Sequence, residues 1–165
     1  MHDELTQVDI DKMKAELEER QLMIPKLRDE VKRAKELGDL SENDEYHSAK
    51  REFNRNTGRM NYLQAMIETA VIISTDSKED EVGLFDEVEL IYPDTEETET
   101  VRIVTTLRND VFSNNISKES PFGKAILGHK AGETVTVKSE AGSYEVKIVS
   151  IKKGQDDPDM PIGKY

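Results

Sequence analysis

The sequence contains no cysteine and no tryptophan, and only 5% of its 165 residues are aromatic. Without cysteine the chain has no disulfide framework and no thiolate metal site. No apolar run approaches the roughly 20 residues of a membrane span, and residues 1–14 lack the apolar core of a signal peptide. We therefore expect a cytoplasmic protein that makes no contact with a membrane.

The chain is rich in charged residues and poor in apolar residues. Hydrophobic residues make up 35% of the chain and charged residues another 35%, with a formal net charge of −12. This balance is typical of a solvated coiled coil rather than a compact enzyme. Because the net charge is strongly negative, we expect no binding of duplex nucleic acid through bulk electrostatics, so that any nucleic-acid contact must be local.

Two heptad patterns of apolar residues occupy the first half of the chain. Their members are Ile10, Met13, Leu17, Ile24, Leu27, Val31 and Ala34, then Tyr46, Ala49, Phe53, Met60, Leu63, Ile67 and Ala70. Pairing Ala34 with Ala49 and Leu17 with Ile67 makes the two patterns mirror images. This symmetry predicts an antiparallel helical hairpin over residues 1–75, with its tip at 38–45 and a helical arm about 40 Å long.

The second half of the chain changes to short alternating segments rich in Val, Ile, Thr and Tyr, which predict strands. They span residues 87–92, 98–104, 115–117, 134–138 and 144–151. Between them, Ser120 and Pro121 are typical of a helix start. We predict a polar linker at 76–84, an α+β domain at 85–154 and a disordered tail at 155–165. The fold class is therefore α+β with two domains.

The predicted tip carries four carboxylates, from Asp39, Glu42, Asp44 and Glu45. One explanation is a capping box, in which Asp39 caps the second helix and Glu42 stands three residues on. The other is that a long arm delivers these charges to a distant site. Asp39 and Glu42 are three residues apart, and Mg²⁺ characteristically binds one or two carboxylates and keeps several waters. Both roles are compatible in the same residues.

Basic residues follow directly below the acidic tip. The candidates for binding RNA phosphates are Lys35, Lys50, Arg51 and Arg55, and Arg59 extends the helical stripe of Arg51 and Arg55. The alternative is an ordinary charged coiled-coil flank. Tyr46 begins the second apolar pattern, where it either packs beneath the tip or stacks on a base.

These motifs resemble the bacterial Gre-type transcript cleavage factors, most closely the GreA branch. The tip signature of that family is matched by Gly38, Asp39, Leu40, Glu42, Asn43, Glu45, Tyr46 and His47. A second signature is matched by Ser117, Ser120 and Pro121. The resemblance implies a coiled-coil hairpin that enters the secondary channel of bacterial RNA polymerase, and an FKBP-like C-terminal domain that docks at the channel rim.

The resemblance also implies the roles of particular residues. Asp39 and Glu42 would complete a Mg²⁺ site shared with the polymerase, which then cleaves the 3′ end of backtracked nascent RNA, while the isolated protein binds no metal tightly. The protein is then a monomer and not an enzyme by itself. The tip is supported by Asn43, Asp44, Glu45 and Tyr46. The polymerase contact is formed by Ser120, Pro121, Phe122 and Gly123, with Phe122 either an exposed anchor or a core residue.

Two other functions remain open at this stage. The family usually has a small residue where this chain has Asp44, and related anti-Gre factors with acid-rich tips inhibit polymerase through the same channel. A chaperone or adaptor with a helical clamp is a third possibility. An apolar tip would favour the chaperone, whereas this tip is charged.

Overall fold

The computed structural model describes residues 2–38 and 43–163, which form two compact units. Among these, residues 10–38 and 43–70 make up a helical unit, and residues 2–9 together with 71–163 make up a strand-rich unit. The predicted fold class of a helical hairpin and an α+β domain is confirmed. The predicted hairpin bounds of 1–75 are too wide, because residues 2–9 and 71–75 belong to the strand-rich unit.

The helical unit is built from two long helices, α1 at Gln7–Lys35 and α2 at Asp44–Thr69. Helix α1 continues through Pro25, whose side chain is exposed. The apolar heptad positions supply the buried residues of the hairpin, including Met13, Leu27, Ala34 and Leu63. The heptad pattern therefore predicted the buried face of each helix correctly.

The alignment of the two helices differs from the predicted pairing. The side-chain amide of Asn56 donates to the carbonyl of Arg20 at 3.2 Å, and that of Asn43 donates to the carbonyl of Ala34 at 2.6 Å. Compared with the predicted pairing of Ala34 with Ala49, these contacts shift α2 by about one heptad. A heptad pattern repeats every seven residues, so registers one heptad apart place the same kinds of side chain in the seam.

The strand-rich unit contains a five-stranded sheet in the order β5-β4-β3-β7-β6. Its strands are β3 at Glu87–Ile91, β4 at Thr98–Val104, β5 at Asn115–Ser117, β6 at Thr134–Ser139 and β7 at Gly142–Lys152. They confirm the five predicted strands to within two residues. Alternate residues such as Val88, Leu90, Val146 and Ile148 are buried, as expected for a sheet with one face on the core.

Helix α3, at Pro121–Ile126, packs against this sheet through Ile126 and confirms the predicted short helix. The linker predicted at 76–84 is not wholly polar surface, because Val82 and Leu84 are part of the same core. Their side chains are only 2% and 8% exposed. The apolar residues that end the linker therefore belong to the domain that follows.

Both ends of the chain pack into the strand-rich unit. Strand β1, at Glu4–Leu5, pairs in parallel with β2, at Val71–Ile72. The tail is not disordered as predicted, because Met160 is buried and the amide of Gly163 donates to the carbonyl of Leu107 at 2.8 Å. Its polar composition gave no indication that Met160 is buried and that the Asp156 carboxylate has partners elsewhere in the unit.

None of the helices within 2–38 and 43–163 combines the length and apolar character needed to cross a membrane.

Candidate functional site

The hairpin end begins where α1 stops at Lys35 and includes Gly38, which has a φ of 135°. This value is open to glycine because it has no Cβ. Asp39 and Glu42, the predicted catalytic and metal-binding residues, lie outside the described residues.

Helix α2 is capped by Asn43. The side-chain oxygen of Asn43 accepts a hydrogen bond from the amide of Tyr46 at 3.0 Å, and the helix begins at Asp44. The N-terminus of α2 therefore has a cap that does not involve Asp39 or Glu42, whose predicted capping box lies outside the described residues. Since Asn43 is itself a strong cap former, the sequence already contained this signal.

Asn43 also joins the two helices at this end. While its oxygen caps α2, its side-chain nitrogen donates to the carbonyl of Ala34 at 2.6 Å. That carbonyl belongs to the last turn of α1 and also accepts from the amide of Leu37 at 3.2 Å. The Asn43 side chain thus links the end of one helix to the start of the next.

Asp44 and Glu45 occupy the first turn of α2 and are exposed. Carboxylates are stabilised there by the positive end of the helix dipole. Tyr46 is half-buried and makes an edge contact with His47, at 5.3 Å between ring centroids. The ammonium group of Lys50 lies 5.9 Å from the centroid of the Tyr46 ring. Tyr46 therefore contacts neighbouring side chains of its own helix.

The predicted basic residues differ in exposure: four lie on the surface and Arg59 is buried. Lys35, Lys50, Arg51 and Arg55 are exposed, and Arg55 forms an ion pair with Glu52 at 2.7 Å. Arg59 does not belong to this surface, because its side chain is only 6% exposed and pairs with Glu16. The three-and-four spacing placed Arg59 on the same stripe but did not reveal its partner on the other helix.

Glu16 and Arg59 form a polar layer inside the hairpin. The Arg59 guanidinium donates to both Glu16 oxygens, at 2.7 and 3.0 Å. Arg20 donates to Glu16 at 2.8 Å and to Asn56 at 3.1 Å. The hydrogen bond from Arg59 is the main reason that the pKa of Glu16 is lowered. This layer accounts for the two interruptions of the heptad pattern, at Arg20 and Asn56.

The predicted polymerase-binding segment begins α3, and most of it has a structural role. The Ser120 hydroxyl accepts from the amide of Gly123 at 3.0 Å and confirms the predicted cap. Gly123 is buried, and a Cβ there would lie 2.1 Å from the carbonyl oxygen of Ser117. Phe122 is half-buried and packs against the core. Only Pro121 in this segment is exposed.

The exposed phenylalanine of this unit is Phe112, which sequence reasoning missed. It lies with exposed Val111 in a short 3₁₀ turn, Val111–Ser113. The carboxylate of Asp110 holds the turn by accepting from the Phe112 amide at 3.1 Å and from the Ser113 hydroxyl at 2.8 Å. The signal in the sequence was Asp110 followed by Asn114 and Asn115, which are turn-forming residues around an apolar pair.

No cluster of three or more metal-ligating side chains occurs among residues 2–38 and 43–163. The candidate site is the end of the helical hairpin. There, the hydrogen bonds of Asn43 join the two helices, and exposed acidic and basic side chains lie beside it. Such a surface is suited to a factor that acts on another macromolecule.

Comparisons with known proteins assign this architecture to a family. Residues 4–72 match the family model described as "Transcription elongation factor, N-terminal", and residues 76–153 match the one described as "Transcription elongation factor, GreA/GreB, C-term". Together they cover most of the chain, which belongs to the GreA/GreB family of transcription elongation factors.

Two GreA sequences agree with this assignment. The chain is 40% identical over 151 residues to transcription elongation factor GreA of Streptococcus agalactiae, covering 90% of this chain and 94% of the relative. It is 36% identical over 148 residues to GreA of Thermotoga maritima, covering 89% and 95%. Among solved structures, GreA factor homolog 1 of Thermus thermophilus is 27% identical with a TM-score of 0.44, covering 93% and 100%.

Proposed function

We propose that this protein binds bacterial RNA polymerase, inserts the hairpin tip through the secondary channel and stimulates cleavage of the 3′ end of backtracked nascent RNA. Family membership supports the polymerase as partner. The observation that carries the cleavage role is the capping of α2 by Asn43, because the helix start then does not require Asp39 or Glu42 as its cap.

The donor set at the tip fits a magnesium ion. Asp39 and Glu42 supply carboxylate oxygens, the ligands that Mg²⁺ prefers, and neither needs to serve as the N-cap of α2. A Mg²⁺ ion held by these residues would supply Lewis-acid stabilisation of charge on the reacting phosphate. In this proposal the two residues hold that ion and orient the attacking water, while the polymerase provides the remaining catalytic groups. The factor itself is not an enzyme.

The other residues of the tip have supporting roles in the proposal. Asn43 fixes where α2 begins, and Asp44 and Glu45 add negative charge in the first turn. Exposed Lys35, Lys50, Arg51 and Arg55 would bind phosphates of the displaced RNA 3′ segment. The isolated protein is a monomer in this scheme.

The test compares RNA lengths in stalled, backtracked polymerase complexes. We expect wild-type protein to shorten the RNA, and the double variant Asp39→Asn/Glu42→Gln to bind polymerase with unchanged affinity but to lose cleavage. The matched control is Asp44→Asn/Glu45→Gln, which removes the same number of charges from the first turn of α2 and should retain most cleavage.

Two results would contradict the proposal. Normal cleavage by Asp39→Asn/Glu42→Gln would remove these residues from the reaction. Blocked RNA synthesis without cleavage by the wild-type protein would instead establish the inhibitory function, with the extra acid Asp44 as its distinguishing feature.

The apolar contact with polymerase is assigned to Phe112 in this proposal, in place of Phe122. A rigid turn that exposes an aromatic ring is suited to anchoring, and aromatic residues often dominate interfaces. Phe122 already packs against its own core. Pro121 is exposed and remains a candidate for the same contact.

A further inference from the structure

Two tyrosine rings form the floor of an open cleft at one end of the five-stranded sheet. The cleft has a volume of about 360 Å³, and its lining includes Tyr92 and Tyr144. Their ring centroids are 6.1 Å apart and the rings are inclined by 36°. The two rings are therefore neighbours that are tilted relative to each other and not stacked in parallel.

The position of these rings follows from strand alternation. Tyr92 comes two residues after buried Leu90, and Tyr144 two residues before buried Val146. Side chains two apart on a strand lie on the same face, so both rings continue the core face of the sheet to its end. Tyr144 is 37% exposed and Tyr92 is half-buried, which leaves part of this aromatic surface accessible.

Carboxylates surround the same surface. Leu90 pairs with Glu99 in the sheet, and the amide of Tyr92 donates to the carbonyl of Glu97 at 2.8 Å. Residues directly opposite each other share a face, so Glu97 and Glu99 lie on the side of the rings. The Tyr92 hydroxyl donates to the Glu99 carboxylate at 2.6 Å. Burial, followed by this hydrogen bond, raises the pKa of Tyr92, so the phenol stays protonated and remains the donor.

The negative charge of the cleft is not neutralised by the described part of the chain. The residues lining the cleft are Tyr92, Asp94, Thr95, Glu97, Tyr144 and Glu145, and none of these six is basic. No ion pair formed among residues 2–38 and 43–163 involves Asp94, Glu97 or Glu145. The cleft thus combines aromatic faces with unpaired acceptors.

We propose that this cleft binds the guanidinium group of an arginine side chain presented by a partner protein. Cations bind over tyrosine faces within about 6 Å of the ring centroid, and a group above the join between Tyr92 and Tyr144 meets that limit for both rings. A guanidinium stacks flat on such rings and donates in its plane to carboxylates such as that of Glu97. The apolar stem of the arginine covers the remaining ring surface.

The site is separate from the hairpin tip and does not depend on the cleavage reaction. Its test uses the full chain, with Nα-acetylarginine amide as the probe and Nα-acetylcitrulline amide as the control. Citrulline keeps the shape of arginine but is neutral. We expect the arginine probe to shift the NMR resonances of Tyr92 and Tyr144 saturably, and the citrulline probe to leave them unchanged at the same concentration.

Variants connect binding to the proposed groups. Tyr144→Leu keeps apolar bulk but removes the ring, and should weaken arginine binding about three- to tenfold. Glu97→Gln should weaken it by a similar factor and reduce its salt dependence. Tyr92→Phe keeps the ring and frees Glu99 from its hydrogen bond, so it should bind arginine at least as well as the wild type. Tyr62→Phe, on the hairpin, is the control and should change nothing.

The proposal is wrong if arginine causes no saturable shift at these tyrosines. It is equally wrong if citrulline binds as well as arginine, because the charge then has no part in recognition. Unchanged arginine binding by correctly folded Tyr144→Leu would also overturn it, since the aromatic floor would not be the site. Wild-type RNA cleavage by the Tyr144→Leu and Glu97→Gln variants is expected and keeps this test distinct from that of the proposed function.

Discussion

Arg108 and Asp9 form a fully buried ion pair in the strand-rich unit, with 2.7 Å between Nε and Oδ1 and no exposed side-chain surface on either residue. The two atoms lack the alignment of a hydrogen bond, so the contact is mainly electrostatic. Arg108 also donates to Asp156 in the C-terminal segment at 2.9 Å. One guanidinium therefore holds carboxylates from both ends of the chain.

Asp9 has additional partners that define the start of α1. The amide of Thr6 donates to its carboxylate at 3.0 Å, and its own amide donates to the Thr6 hydroxyl at 3.3 Å. This reciprocal arrangement is a capping box with aspartate as the acid. The Thr105 hydroxyl donates to the same carboxylate at 2.9 Å. The first turn of α1 is thus fixed by groups of the unit to which it belongs.

Replacing Arg108 by methionine should strongly destabilise the strand-rich unit. The substitution leaves two carboxylates, of Asp9 and Asp156, without their buried cation, and breaking a buried pair in this way costs about 3–5 kcal/mol. Urea unfolding followed by circular dichroism measures the loss. Arg102→Met is the control, because its pair with Glu87 is partly exposed and should contribute about 0–1 kcal/mol. Equal losses in the two variants would contradict the prediction.

Glu16 should make hairpin stability depend on acid pH. Its pKa is lowered below the ordinary value of 4.5, chiefly by the hydrogen bond from Arg59. The stabilisation is therefore present above the pKa of the unfolded chain and is lost as pH falls through the lower folded value. We expect Glu16→Gln to lower the free energy of unfolding by about 1–2 kcal/mol at pH 7 and to reduce the loss of stability as the pH falls. Thermal melts across pH 2 to 7 test it, with exposed Glu18→Gln as the control for the loss of one charge from the same helix.

Phe112 and Phe122 should separate polymerase binding from stability. Phe112→Ala removes a fully exposed ring and should weaken polymerase binding by about five- to thirtyfold with little change in melting. Phe122→Ala removes a half-buried ring and should cost about 2 kcal/mol of stability, less than a fully buried phenylalanine. Polymerase affinity and melting are measured for both variants. Weaker polymerase binding by Phe122→Ala, together with a loss of stability in Phe112→Ala, would instead identify Phe122 as the anchor.

Two glycines in helices should respond to alanine in opposite directions. A Cβ at Gly58 in α2 meets no atom within 4 Å, so Gly58→Ala should stabilise the hairpin by about 0.5–1 kcal/mol through helix propensity. A Cβ at Gly123 would lie 2.1 Å from the Ser117 carbonyl oxygen, and Gly123→Ala should destabilise the strand-rich unit by about 1–3 kcal/mol. Thermal unfolding of both variants is the measurement. A stabilised Gly123→Ala protein would show that the contact with Ser117 relaxes freely.

Local pattern alone determined much of this protein. The seam positions, the five strands of the sheet and the Ser120-Pro121 helix start were predictable because each depends on the periodicity or turn chemistry of neighbouring residues. The motif that points to Asp39 and Glu42 is likewise a property of the sequence. These features need no knowledge of distant parts of the chain.

The tertiary structure decided which of several equivalent partners each residue meets. A heptad repeat permits registers seven residues apart, and hydrogen bonds such as that from Asn56 to Arg20 fix one of them. Arg55 and Arg59 look alike in sequence, yet only Arg59 finds Glu16 on the opposite helix and is buried. The sequence predicted a disordered tail, whereas in the structure Asp156 of the tail pairs with buried Arg108. A polar segment becomes ordered when its charges have buried partners. Such long-range pairing depends on the whole fold, which local periodicity does not encode.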